Sequence, residues 1–215
     1  MNNKINNISC IGCGTIGAGW VARLLVNEIR VKIYDPTPYP ETRLETVIKN
    51  TKKAYKNLFP QKKINFRNFE FFNEILPAIE NSDLIIESVP ERLETKKKIY
   101  KNVEEVCSNQ TIIASSTSGI KPTDLQCGMK NPERLIVTHP FNPVYLIPLV
   151  EVVGGNKTNH HSIKKVIYFL NSINMKPIYL KKEIEAFVAD RLLEAIWRES
   201  LWLIKDGICT TKELD

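Results

Sequence analysis

The sequence of 215 residues predicts an α/β fold: a mostly parallel sheet with helices on both faces, followed by the start of an all-α C-terminal domain. Three observations predict it. Apolar, β-branched runs at residues 83–89, 110–115 and 134–138 alternate with helical stretches, as expected of strands covered on both faces. A glycine-rich turn, Gly12 to Gly17, sits between the first apolar run and the first helical stretch. From Glu183 the character changes to one long helix whose apolar residues occupy more than one face. The expected domains are therefore residues 1–182 and 183–215, the second truncated.

The elements follow in order. Residues 7–11 read as a strand, 15–28 as a helix and 31–34 as a second strand closed by Asp35, a βαβ unit with a right-handed crossover. Asp35-Pro36-Thr37-Pro38 breaks that strand, and 41–58 is a polar, Lys-rich helix expected to project from the sheet at the surface. After the three buried strands, Pro140, Pro143 and Pro148 each remove a backbone donor, so 140–148 is a loop and 149–153 a strand. Residues 163–170 read as helix, 177–180 as the last strand and 184–206 as one long helix capped by Gly207. Thr210-Thr211-Lys212-Glu213 has capping-box spacing and starts a further helix, within whose first turn the sequence stops.

Composition narrows the function. Hydrophobic content of 43% and charged content of 25% are those of a soluble globular protein. The net charge of +6 comes mostly from scattered lysines (Lys52, Lys53, Lys56, Lys62, Lys63, Lys96, Lys97, Lys98) without interleaved aromatics, which argues against nucleic-acid binding. Met1-Asn2-Asn3-Lys4-Ile5 runs straight into an apolar strand with no signal-peptide core, and no apolar stretch reaches membrane-span length. Five cysteines at irregular spacings suit a reducing cytoplasm. Cys10-Ile11-Gly12-Cys13 has no second ligand pair, so no metal is expected.

The loop Gly12-Cys13-Gly14-Thr15-Ile16-Gly17 has the physical parts of a dinucleotide site of the Rossmann type. Gly12 permits the tight turn, Gly14 lets a pyrophosphate approach the backbone, and Gly17 lets the helix pack on the strand. The helix N-terminus then stabilises the phosphate charge. Asp35 ends the next strand about 20 residues on, where it accepts hydrogen bonds from ribose hydroxyls and opposes a 2′-phosphate. No Arg directly follows it, so the expected cofactor is NAD rather than NADP. A glycine turn in a flavodoxin-like domain is the alternative.

A second constellation lies in residues 138–155. Glu151 is the one charge in an apolar strand and needs a partner, for which His139 is the obvious candidate. A histidine held by a carboxylate is a general base with fixed tautomer and orientation. Taken alone, the fragment also fits a loop histidine and an edge-strand glutamate facing water.

Together the glycine loop, Glu87-Ser88-Val89-Pro90-Glu91-Arg92-Leu93-Glu94-Thr95-Lys96, Ala114-Ser115-Ser116-Thr117-Ser118 and His139-Pro140-Phe141-Asn142-Pro143 resemble the 3-hydroxyacyl-CoA dehydrogenase family over essentially the whole chain. The resemblance implies that His139 takes the proton of a substrate 3-hydroxyl while hydride leaves for the nicotinamide, and that Glu151 orients His139. It implies that Ser118 hydrogen-bonds the reacting oxygen, that Asn142 lies near nicotinamide and substrate, and that Glu91, Lys96, Ser118 and Asn142 contact the cofactor. Ser118 and Asn142 also fit plain turn residues, and Lys96 a solvated helix lysine. Stretches 17–23, 139–155 and 182–199 are most similar to family members acting on carnitine, a small 3-hydroxy acid that carries a trimethylammonium group.

One departure bears on this. Asp190 stands where acyl-CoA-specific members carry Asn, and Glu185-Ala186 where they carry Pro-Gly. A carboxylate there disfavours an anionic thioester and suits a trimethylammonium group, helped by cation–π contacts from Tyr145, Trp197 or Trp202; pairing of Asp190 with Arg191 or Arg198 is the alternative. Oxidation of a 3-hydroxyacyl-CoA or of gulonate remains open, as does an inactive NAD-binding fragment. The resemblance also implies a homodimer formed through the helical domain.

Overall fold

The computed structural model describes residues 5–61 and 63–215; Met1 to Lys4 and Lys62, used above, lie outside them. Eight strands form one sheet in the order β3-β2-β1-β4-β5-β6-β7-β8. They are β1 (Ile8–Ile11), β2 (Val31–Tyr34), β3 (Phe69–Phe72), β4 (Leu84–Glu87), β5 (Ile112–Ser115), β6 (Leu135–Pro140), β7 (Leu149–Gly154) and β8 (Lys176–Leu180). Neighbours are parallel except β6 and β7, which the proline-bounded loop turns antiparallel.

The period-two alternation of strand side chains splits the core between the two faces. Ile8, Cys10, Leu84 and Ile86 face Trp20 and Leu24 of α1 (Thr15–Leu25) and Phe169 of α6 (His160–Ser172). Ile11, Ile85, Ile113 and Val137 face the other way. There they meet α3 (Ile75–Ile79), Tyr100 and Val103 of α4 (Leu93–Val106), and Leu125 of α5 (Pro122–Gln126). The predicted α/β sheet with helices on both faces is what forms, and α7 (Ala189–Lys205) and α8 (Thr211–Leu214) follow it.

Several expected boundaries shift for local reasons. α1 ends at Leu25, not residue 28, because the amides of Asn27 and Glu28 turn back to Leu24 and Leu25, and Glu28 takes φ +63°. α2 (Pro40–Leu58) does not simply project: Leu44, Ile48, Thr51 and Tyr55 are buried. β3 and α3 are absent from the expected order. β3 reads Phe-Glu-Phe-Phe at the sheet edge, too short and too exposed for periodicity to single out.

The long terminal helix starts at Ala189, five residues later than expected. Ala186 and Phe187 adopt φ +58° and +46°, a left-handed turn that costs roughly 1–2 kcal/mol per non-glycine residue. Its offset is visible: Phe187 is fully buried in the apolar layer with Ile113 and Val137.

Candidate active site

The strand order reverses between β1 and β4, and the predicted functional residues gather at the carboxyl ends of β1, β2, β4, β5 and β6, with Glu151 on the adjoining β7. That edge of a doubly wound sheet is where ligands bind.

The glycine turn closes as the sequence requires. Gly12 takes φ +88°, and a Cβ on it would lie 2.5 Å from the Ser88 carbonyl oxygen. A Cβ on Gly17 would lie 1.9 Å from the Gly12 carbonyl oxygen. Around Gly14 there is nothing within 4 Å, so the space before the N-terminus of α1, which no side chain caps, is open for a pyrophosphate. The structure therefore fits the dinucleotide that the turn implies. Gly17→Ala should cost about 1–3 kcal/mol in thermal unfolding, as overpacking against backbone does. Gly14→Ala should leave unfolding unchanged and weaken NADH in a fluorescence titration. Equal NADH affinity in that variant would remove the phosphate from this turn.

Asp35 is held on both oxygens. Oδ2 accepts from the Cys13 amide at 2.6 Å, and Oδ1 from the Thr37 amide at 2.8 Å and from its hydroxyl. Arg43, eight residues on in α2, reaches Asp35 Oδ2 at 3.4 Å. Asp35 therefore has an arginine beside it in space although none directly follows it in sequence. Burial and the Asp35 charge push the Cys13 thiol up to about 12, so Cys13 is a turn residue and not a nucleophile.

The largest omission from the sequence reading is a buried network under the edge. Glu87 accepts from Lys96 Nζ (2.8 Å), Tyr100 Oη (2.7 Å), Ser115 Oγ (2.7 Å) and the Val89 amide (2.9 Å). Lys96 is 1% exposed, which rules out a solvated lysine, and it also reaches Glu91 Oε2 at 3.2 Å. Glu91 Oε1 accepts from the Thr117 hydroxyl and from the Ser118 and Gly119 amides at 3.2 and 3.4 Å. Burial would raise the Glu91 carboxyl, but the Thr117 hydroxyl and Lys96 outweigh it and hold it below the ordinary range. Glu91 thus pins the turn carrying Ser118, which is exposed. The reasoning that singled out Glu151, one charge in an apolar strand, applies equally to Glu87 at the end of Leu-Ile-Ile-Glu.

His139 and Glu151 face each other across the antiparallel β6–β7 pair. Nδ1 lies 2.9 Å from Glu151 Oε2, and because a carboxylate only accepts, Nδ1 carries a proton; in the neutral ring Nε2 is then the nitrogen with a free lone pair. The rings of Phe141 and Phe187 flank the imidazole at 5.3 and 5.6 Å. Glu151 Oε1 accepts from the Val188 and Ala189 amides at 2.9 and 3.1 Å, so one carboxylate orients the histidine and anchors the start of α7. Asn142 is exposed three residues beyond His139.

The aromatic side chains invoked for a trimethylammonium substrate are not gathered here. Tyr145 lines a separate cavity with Arg23, and Lys205 Nζ lies 4.1 Å over the Trp202 ring. Trp197 is exposed on α7, and among the described residues Asp190 forms no ion pair with Arg191 or Arg198.

The profile described as 3-hydroxyacyl-CoA dehydrogenase, NAD binding domain, matches residues 7–184. The chain belongs to this family. It is 52% identical over 212 residues to an L-carnitine dehydrogenase of Mesorhizobium japonicum, covering 98% of this chain and 58% of that protein. An L-carnitine dehydrogenase of Oceanobacillus iheyensis is 46% identical over 211 residues, with 98% and 69% covered. Among solved structures, the NAD+-dependent 5-formyl-3-hydroxy-2-methylpyridine 4-carboxylic acid 5-dehydrogenase superposes with a TM-score of 0.91 at 33% identity, covering 99% of this chain and 69% of that one. The 3-hydroxybutyryl-CoA dehydrogenase of Escherichia coli superposes at 0.85 and 26%, covering 96% and 44%. The family assignment makes NAD the cofactor of this domain, and the chain spans 58% of the length of the Mesorhizobium relative.

Proposed function

We propose that this chain carries the NAD-binding and catalytic half of a 3-hydroxy acid dehydrogenase that oxidises L-carnitine to 3-dehydrocarnitine in the cytoplasm. The observation that carries the reading is His139, paired through Nδ1 to Glu151 and positioned at the strand edge that holds the glycine turn. The names of the relatives at 52% and 46% identity support carnitine as the substrate.

His139 Nε2 takes the proton of the substrate 3-hydroxyl, and Glu151 stabilises the imidazolium that results. Ser118 hydrogen-bonds the reacting oxygen, from a turn that Glu91 holds in place. A bound NAD would supply the acceptor for the hydride that leaves the carbon bearing that hydroxyl. The backbone of Gly12, Cys13, Gly14, Thr15, Ile16 and Gly17 holds its pyrophosphate, Asp35 its adenosine ribose, and Glu91 and Asn142 the nicotinamide end. Lys96, enclosed between Glu87 and Glu91, acts on the cofactor through Glu91. Asp190, next to Ala189 at the start of α7, supplies negative charge for the trimethylammonium group. A second copy of the chain covers the apolar face of α7 in a homodimer.

Two measurements test the proposal. NADH formation should depend on L-carnitine and be far slower with L-gulonate, 3-hydroxybutyrate or 3-hydroxybutyryl-CoA; a preference for the thioester would overturn the substrate. Fluorescence titration should show tighter NADH than NADPH, because Asp35 is buried against the Cys13 amide and cannot turn from a 2′-phosphate. Equal affinities would mean that Arg43, not Asp35, decides recognition there.

A further inference from the structure

α1 carries a second feature about 14 Å along its axis from the glycine turn, at nine residues and 1.5 Å each. Arg23 is 4% exposed, yet its guanidinium is poorly partnered. Nε donates to the Val144 carbonyl at 3.0 Å, Nη1 reaches the Tyr55 hydroxyl only at 3.5 Å, and Nη2 has no partner among the described residues. No described carboxylate lies within ion-pair distance of it, and Met1 to Lys4 and Lys62 bring no carboxylate side chain. Burial lowers the Arg23 pKa, with Tyr55 the opposing influence, but an arginine keeps its proton in proteins. A buried charge without a counter-charge is destabilising.

Arg23 forms part of the wall of a cavity of about 350 Å³ between α1, the C-terminal turn of α2 and the loop that follows His139. The other polar groups of that wall are largely committed. Asn27 Nδ2 donates to the Arg23 and Ile173 carbonyls and its Oδ1 accepts from Asn174, while the Tyr55 hydroxyl donates to the Tyr145 carbonyl. The rim is apolar: Leu58, Phe59 and Leu146 are exposed there. A lone buried cation behind an apolar mouth calls for a ligand with one anionic head and a hydrocarbon body, and the volume lies within the usual small-molecule range.

We infer that this cavity is a binding site for a small aliphatic carboxylate, whose head draws Arg23 Nη2, itself closed to solvent in this structure, into an ion pair and whose chain packs on Leu58, Phe59 and Leu146. The site is separate from the cofactor turn and does not depend on the substrate proposed above. Hexanoate suits it better than an inorganic anion, which would leave the apolar rim uncovered.

Sodium hexanoate and hexanamide, titrated by calorimetry into the full chain saturated with NADH, test the inference. Hexanoate should bind roughly tenfold or more tightly than the neutral amide, since a charge-assisted hydrogen bond contributes about 1.5–3 kcal/mol. Arg23→Met should abolish hexanoate binding, and His139→Ala should leave it intact. Phe59→Glu places a repelling charge on an exposed position whose ring meets Tyr55, and it should weaken hexanoate by a similar factor with the chain still folded, which keeps the test decisive if Arg23→Met does not fold. Equal binding of acid and amide, hexanoate binding that survives Phe59→Glu, loss of binding in His139→Ala, or no binding at all overturns the inference.

Discussion

His139→Ala should lower the rate of carnitine oxidation by about 10²–10⁴ relative to the unsubstituted chain, the usual contribution of a positioned general base. NADH affinity should be unchanged, because the glycine turn and Asp35 are built from β1, α1 and β2 and make no use of the imidazole. Glu151→Gln should be about as damaging, for a reason visible in the hydrogen bonds. Glu151 Oε1 is committed to the Val188 and Ala189 amides, so the glutamine oxygen must remain there and its NH₂ must face His139. The imidazole then has to accept at Nδ1, which moves its proton to Nε2 and removes the base; a wrong tautomer of this kind is costly in other His–carboxylate systems. Steady-state NADH formation, paired with thermal unfolding of each variant, checks this. A Glu151→Gln chain that folds normally and keeps most of its rate would show that the carboxylate orients nothing.

The contacts of this edge are legible in the sequence where they are local. The glycine turn, Asp35 and the His139–Glu151 pair were legible because each depends on a short motif or on a charge with no other partner in its strand. Glu87 obeys the same logic but is satisfied by Lys96, Tyr100 and Ser115, up to 28 positions away, and no short spacing announces that. Arg43 reaches Asp35 across the β2–α2 loop, which is likewise a tertiary fact. The start of α7 is not legible in the sequence because helix propensity at 184–188 favours continuation, whereas burial of Phe187 and the pull of Glu151 on two amides favour a left-handed turn. β3, four residues at the sheet edge, had too little periodicity to be read at all.

The remaining large effect concerns α7. Its first turn is anchored by Glu151, but none of its residues is buried, and Leu192, Leu193, Ile196, Trp197, Leu201 and Trp202 are all about half exposed or more. Leu193, Ile196, Trp197 and Leu201 follow the i, i+3, i+4, i+8 spacing of a single stripe, the pattern of a helix that packs on a partner. Apolar patches beyond a few hundred Å² are uncommon on soluble monomers. The 215-residue chain should therefore self-associate, with a light-scattering mass above that of one chain and rising with concentration. Replacing Ile196 and Trp197 together by Glu should return it to a monomer. The same substitutions should leave NADH affinity unchanged, because the elements that build the glycine turn lie on a different part of the fold. Loss of NADH binding in that variant would mean instead that α7 supports the cofactor edge through Glu151 and Phe187. A chain that stays monodisperse and monomeric at every concentration would show that the exposed stripe needs no cover.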